Sequence, residues 1–168
     1  EAYLGPHDQA AHSHNWRRTD RTEPMWMAPG TSYVFLTYGM HHCLNVSTVR
    51  EGLPQAVLLR AVEPTEGLDR MRELRGKDAG FRRQELCNGP AKLTQAFAID
   101  RGHDRIDLTA SDALLIEQLR QRALPESKIN ASPRVGIDYA GAWVDKPLRM
   151  SIRDHPGVSR PKPVSPVG

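Results

Sequence analysis

The residue types best suited to chemistry gather at the start of the chain, in Glu1-Ala2-Tyr3-Leu4-Gly5-Pro6 and then Ala10-Ala11-His12-Ser13. A carboxylate and an aromatic two residues apart share one face of a strand. A Gly-Pro turn can bring a histidine back beside them, so Glu1, Tyr3 and His12 could form an acid/base pocket. A surface glutamate, a core tyrosine and a solvated histidine account for the same spacing. Arg60 is the sharper anomaly. It lies in Val57-Leu58-Leu59-Arg60-Ala61-Val62, where a buried charge needs a partner. Either Arg60 faces water from an edge strand, or it pairs with a carboxylate, for which Glu1 and Glu63 are the candidates.

Weaker signals point toward a polyanion. Phe35, Tyr38, Met40 and His41 surround Gly39 at a strand end. An exposed aromatic on a hairpin tip has the form of a wedge that enters a base stack. Lys92 follows Gly89-Pro90 at a helix start, where its ammonium and free N–H groups could hold a phosphate. The chain has 168 residues and a formal net charge of +3, with basic clusters at 17–21 and 70–83. Such clusters suit phosphate contacts, and a solvated surface explains them as well.

The histidines raise the question of a metal. His7, His12 and His14, or His41-His42 beside Cys43, could be read as ligands. Neighbours on a strand point to opposite faces, and the sequence has no HExxH and no paired CxxC, which argues against zinc. Cys43 and Cys87 read as free thiols of a reducing compartment, although their spacing leaves pairing open. The sequon Asn45-Val46-Ser47 is discounted because it lies in an apolar strand. No apolar run approaches the roughly 20 residues of a membrane span.

These residues need a scaffold of short elements. Strands are expected at Ser32–Tyr38, Cys43–Val49 and Ala56–Val62, the first two forming a hairpin about Gly39. Leu68, Met71 and Leu74 predict a helix with Thr65 as N-cap and Gly76 as its stop. A second helix is expected over Ala91–Ile99 with Pro90 at its first position. Ala113–Leu119 reads as strand or helix, Leu148–Ile152 as a strand, and Pro156–Gly168 as an extended proline-rich tail. The sum is a single α+β domain with a largely antiparallel sheet.

Taken jointly, six ordered segments resemble the alkyladenine (methylpurine) DNA glycosylase family. They are EAYLGPHDQAAHS (1–13), MAPGTSYVFLTYGMHHCLNVS (27–47), AVLLRAVEPTEGL (56–68), ELCNGPAKLTQAFAI (85–99), RVGIDYAG (134–141) and KPLRMSIR (146–153). The resemblance implies a single compact domain over 1–155, with a curved, mostly antiparallel sheet, surrounding helices and a β-hairpin that inserts into DNA. It implies no metal and no organic cofactor. It also implies that family members extend before the position of Glu1, so that the chain lacks its N-terminal strand. Position by position, it makes Glu1 the general base for the water that attacks C1′, with Arg60 and the backbone carbonyl of Val135 positioning that water. Tyr3, Ala10, His12 and Phe35 line the base pocket, and Asn45 clashes with the 2-amino group of normal guanine. Tyr38 fills the space of the extruded nucleotide, while Arg17, Thr19, Met40, His41, Lys92 and Arg101 contact DNA.

The implied reaction is monofunctional hydrolysis of the N-glycosidic bond of alkylated or deaminated purines: 3-methyladenine, 7-methylguanine, hypoxanthine and ethenoadenine. The implied partner is double-stranded DNA bound by a monomer, with no membrane, in the nucleus of a eukaryote or otherwise the cytoplasm. Two departures bear on substrate choice. Phe35 stands where the family commonly has tyrosine, and His41 replaces an aromatic beside the wedge. The rival readings are a catalytically silent damaged-DNA-binding module and an unrelated metal hydrolase.

Overall fold

Residues 1–118 and 121–159 are described by a computed structural model of the chain. Its strands and α-helices run β1 (Ala2–Tyr3), β2 (Ser32–Thr37), β3 (His41–Ser47), β4 (Ala56–Leu58), α1 (Leu68–Leu74), α2 (Arg83–Leu86), α3 (Pro90–Ala96), β5 (Ile129–Ser132) and β6 (Arg149–Ile152). Short 3-10 turns separate several of them. Four strands form one sheet in the order β1-β4-β3-β2, and β5 and β6 form a separate ribbon. Every pairing among these strands is antiparallel. The fold is the expected α+β domain with a mostly antiparallel sheet. No helix among the described residues is long and apolar enough to cross a membrane.

Strand alternation divides the sheet between two tasks. Val34 pairs with Leu44, and both side chains enter a core with Met71, Leu86, Cys87, Leu93, Ala96 and Ile99 from the three helices and the segments beside them. The intervening residues face the other way. Tyr33 lies opposite Asn45, Phe35 opposite Cys43, Asn45 opposite Leu58, and Tyr3 opposite Ala56. Side chains directly across an antiparallel ladder share a face, so these line up on the side away from the helices. A slip of one residue would exchange the two faces, and the apolar Val34/Leu44 set fixes the register against it.

The structure differs from the sequence expectations in instructive places. β4 ends at Leu58, so Arg60 lies beyond the strand rather than within it. α1 begins after Gly67 in the left-handed conformation, with no side-chain cap, so Thr65 is not its N-cap. The second helix stops at Ala96, because Ala98 turns to φ +53°. Residues 113–118 form neither strand nor helix, and the ambiguous segment's last residue, Leu119, lies outside the described residues. β5 has no counterpart among the expected strands. The expected tail lies outside the described residues from 160 onward. Cys43 and Cys87 are both buried and free.

The β2–β3 turn carries visible backbone strain. Tyr38 and Gly39 both have positive φ, +50° and +69°, and Met40 N–H donates to the Thr37 carbonyl at 3.2 Å. Glycine takes this conformation freely, whereas a residue with a Cβ loses about 1–2 kcal/mol there. Tyr38 is nonetheless 87% exposed, so no core contact compensates it. Strain without a packing return marks a position held for another purpose. Tyr38→Gly is expected to leave the hairpin intact and raise unfolding stability by about 0.5–1 kcal/mol. Chemical denaturation measures this, and a loss of stability would show that the ring supports the fold.

Candidate functional site

The face of the sheet turned from the helices forms the floor of a cavity of about 540 Å³. Tyr3, Tyr33, Phe35, Cys43, Asn45 and Leu58 rise from its strands, and Ala10, His12, Arg60, Val135 and Ile137 close the sides. Tyr38 and His41 stand at its hairpin edge and Tyr139, 72% exposed, also lines it. An aromatic chamber with a few polar groups is the usual form of a small-molecule or base site.

Beneath this chamber lies Glu1. Its backbone extends the ladder, donating to the Leu58 carbonyl at 3.0 Å and accepting from Leu58 N–H at 2.8 Å. That pairing puts its side chain on the same face as Tyr3 and Leu58. The side chain has 0% exposure, and three donors meet it. Val135 N–H (2.9 Å) and Arg60 (3.2 Å) reach Oε1, and the Tyr3 hydroxyl donates to Oε2 at 3.0 Å. Arg60 therefore pairs with Glu1 rather than Glu63, which is bound to Arg83 and His155. Val135 meets Glu1 through its backbone N–H. Burial, then the Glu1 charge, pushes the Tyr3 phenol well above its ordinary pKa, so it stays protonated and a donor.

Two residues that were not candidates in the sequence hold this arrangement. Asp8 and Arg134 form a bidentate pair at 2.6 and 2.9 Å, with both side chains fully buried. Asp8 also accepts from the N–H groups of Leu4 and Ala10, each at 3.0 Å. Burial works to raise the Asp8 pKa, but the bonds from Arg134, Leu4 and Ala10 outweigh it and hold it below the usual value. Arg134 in turn donates to the Ala2 carbonyl at 2.9 Å and lies 4.7 Å from the centre of the Tyr3 ring. The residue after it supplies the N–H to Glu1. One ion pair thus orients the carboxylate, its hydroxyl donor and the neighbouring ring.

The remaining wall is aromatic. His12 Nδ1 is 2.8 Å from the Tyr33 hydroxyl, and its ring meets Phe35 edge-on at 4.7 Å. Burial, then the charges of Arg21 and Arg17, pushes the His12 pKa down to about 4, so the imidazole is neutral near pH 7. Asn45 is buried and donates to the Tyr33 carbonyl at 3.1 Å, which fixes its amide and disposes of the sequon. Arg21, also overlooked in the sequence, lies 5.0 Å from the Phe35 ring centre.

The other sequence candidates fall outside the chamber. Arg17 and Thr19 line an adjoining hollow of about 470 Å³ that shares Ala10, His12, Arg21 and Tyr139 with it. Met40 projects from the hairpin tip, 71% exposed. Lys92 binds the Asn88 side chain at 2.8 Å. Arg101 donates to the Val34 carbonyl at 2.7 Å, so it ties β2 to the following turn as well as presenting charge. Among the described residues, no group of three or more His, Cys, Asp or Glu is placed to hold a metal ion.

Known proteins share this sequence pattern. The profile of the family described as methylpurine-DNA glycosylase matches residues 1–156. A mouse protein named DNA-3-methyladenine glycosylase is 47% identical over 165 residues, covering 95% of this chain and 49% of its own length. A human protein of the same name is 46% identical, covering 95% and 54% respectively. A Bacillus cereus protein, provisionally named a 3-methyladenine DNA glycosylase, is 46% identical, and 80% of it is covered. The chain spans about half the length of its mammalian relatives.

Two measurements test the electrostatics of the site. Asp8→Ala leaves Arg134 buried without its anion and should lower stability by about 3–5 kcal/mol. A loss under 1 kcal/mol in denaturant titrations would mean that Arg134 finds solvent instead. His12 should show an imidazole transition near pH 4 in proton NMR. Its folded pKa lies below the ordinary value of 6.5, so the unfolded chain takes up this proton first. Stability contributed by the neutral ring is therefore present above pH 6.5 and falls progressively toward pH 4. His12→Gln should flatten that part of the stability profile, and an unchanged slope would assign it to other groups.

Proposed function

This chain belongs to the methylpurine-DNA glycosylase family, and from that premise we propose that it flips alkylated or deaminated purines out of duplex DNA and hydrolyses their N-glycosidic bond. The substrates of this reading are 3-methyladenine, 7-methylguanine, hypoxanthine and ethenoadenine. The observation that carries it is the Glu1 carboxylate, buried beneath an aromatic chamber and held by Arg60, Val135 N–H and the Tyr3 hydroxyl.

In this mechanism Tyr38 enters the duplex where the nucleotide has left. Its strained, exposed position suits a ring that gains its contacts only from DNA. The purine stacks against Tyr3 on one side and the His12/Phe35 wall on the other. Asn45, pinned by the Tyr33 carbonyl, rejects the 2-amino group of undamaged guanine. The bond from C1′ to the purine nitrogen then breaks, and the base leaves with the electron pair. Water adds to C1′ and gives its proton to Glu1. The carboxylate also stabilises the positive charge that develops on the sugar. Because Glu1 is closed off from bulk solvent, it meets only a water admitted beside the docked sugar. Arg60 limits how far the carboxylate can turn. No lysine nucleophile is required, so the product is an abasic site in an unbroken strand.

Arg17, Thr19, Met40, His41, Lys92 and Arg101 supply DNA contacts in the same reading. Glu1→Gln is isosteric and should retain lesion binding while lowering single-turnover excision of hypoxanthine by about 10²–10⁴-fold. Turnover within tenfold of the parent would put the general base elsewhere. Tight lesion binding with no excision by the parent protein would instead favour the silent damage-binding module.

A further inference from the structure

Arg21 is a cation lining the chamber whose position the proposed reaction does not explain. Two arginines close to the chamber's chemistry are neutralised. Arg60 faces Glu1, and Arg134 is locked to Asp8. On the segment that carries Arg21, Arg18 is bound to Glu23, and Asp20 to Arg105. Among the described residues Arg21 has no carboxylate within ion-pair distance. Its guanidinium instead lies 5.0 Å from the Phe35 ring centre, and it borders both the chamber and the adjoining hollow. Arg21 also acts on the two groups next to that ring. It helps to keep His12 neutral, and it draws the Tyr33 hydroxyl's pKa downward, although burial still carries Tyr33 up to about 12.

We propose that Arg21 sets the charge preference of the base pocket, favouring neutral purines such as hypoxanthine over cationic N7-alkylated ones such as 7-methylguanine. The inference rests on the glycosylase reading and adds the charge of the preferred substrate. A cationic purine gains much of its stacking energy from the electron-rich face of an aromatic ring. At Phe35 that face already carries a guanidinium, so the incoming cation meets a like charge and a weakened π face. His12 cannot compensate, since a neutral ring edge offers no negative charge. A neutral purine loses little by comparison. Phe35 strengthens the effect: a tyrosine there would offer a hydroxyl to share with the arginine, whereas phenylalanine has only its face.

The test is a ratio, which a general loss of folding or of DNA affinity does not move. Single-turnover excision is measured on two duplexes of one sequence, holding 7-methylguanine or hypoxanthine. Arg21→Gln should raise the 7-methylguanine to hypoxanthine rate ratio by about tenfold, the scale of one partly desolvated cation–π contact. Arg18→Gln removes the same charge from the same segment, away from Phe35, and should leave the ratio within twofold. The equilibrium affinities of the two duplexes, measured in a Glu1→Gln background, should shift in the same direction when Arg21 is also replaced. An unchanged ratio in both assays, or an equal change in Arg18→Gln, overturns the inference. Lesion-selective binding without excision would sink the catalytic reading alone, because the affinity ratio still decides the role of Arg21. No preference for either lesion in binding overturns both.

Discussion

The buried Asp8–Arg134 pair is the constraint on which the rest of the site depends. It joins segments 126 residues apart in sequence, with neither side chain exposed. Removing two charges from water is expensive, and such pairs often contribute little net stability compared with an apolar replacement. Here each carboxylate oxygen also has a backbone donor, and Arg134 has a carbonyl and an aromatic ring beyond its carboxylate. These further contacts offset the desolvation. An apolar pair of equal volume could fill the space, but it could not hold the Ala2 carbonyl or aim the chain at Val135. What the ion pair provides is direction. It fixes where a backbone N–H points, and that N–H orients Glu1.

The sheet makes such precision possible because its two faces are committed to different work. Val34 and Leu44 bind it to the helices, so the strands cannot shift without opening the main core. Asn45 and Phe35 are then carried on a backbone fixed from behind. The strands are short, and β1 has only two residues, yet Glu1 remains in register through both hydrogen bonds to Leu58. Rigidity at the floor comes from this ladder. The hairpin tip has little of it, with Tyr38 and Met40 exposed beyond the last paired residues.

Residues whose role follows from strand periodicity were legible in the sequence, and those whose role depends on distant chain segments were not. The i, i+2 spacing of Glu1 and Tyr3 foretold a shared face, and the tyrosine hydroxyl does meet the carboxylate. Arg60 announced itself as a charge in an apolar run, but choosing between Glu1 and Glu63 required tertiary structure. Asp8 reads as an ordinary turn residue after Gly-Pro, and nothing nearby indicates that Arg134 will cover it. Arg21 is one of several arginines in a basic, polar segment, and only its proximity to Phe35 separates it from its neighbours. β5 escaped notice because Ile129-Asn130-Ala131-Ser132 is short and half polar, and it exists only by pairing with β6. Thr65 has a capping residue's chemistry, yet Gly67 supplies the entry turn through its positive φ instead.

The distribution of charge in the chamber follows a consistent logic. Negative charge is kept at one point, the Glu1 carboxylate, and every oxygen of it is engaged. Positive charge is placed around it: Arg60 reaches Oε1, while Arg134 is already committed to Asp8. The proposed reaction would set this carboxylate beside the sugar, where positive charge develops as the bond stretches. On the opposite wall the arrangement reverses, since His12 is held neutral and Arg21 and Arg17 bring positive charge near it. In the proposed reaction a purine in this chamber would lie between an anion below its sugar and a cation beside its ring. That polarity draws electron density toward the base and positive charge toward the sugar, which is the direction in which a glycosidic bond breaks. A fixed cation beside the ring does most for a neutral leaving base, which must accept the electron pair without a charge of its own.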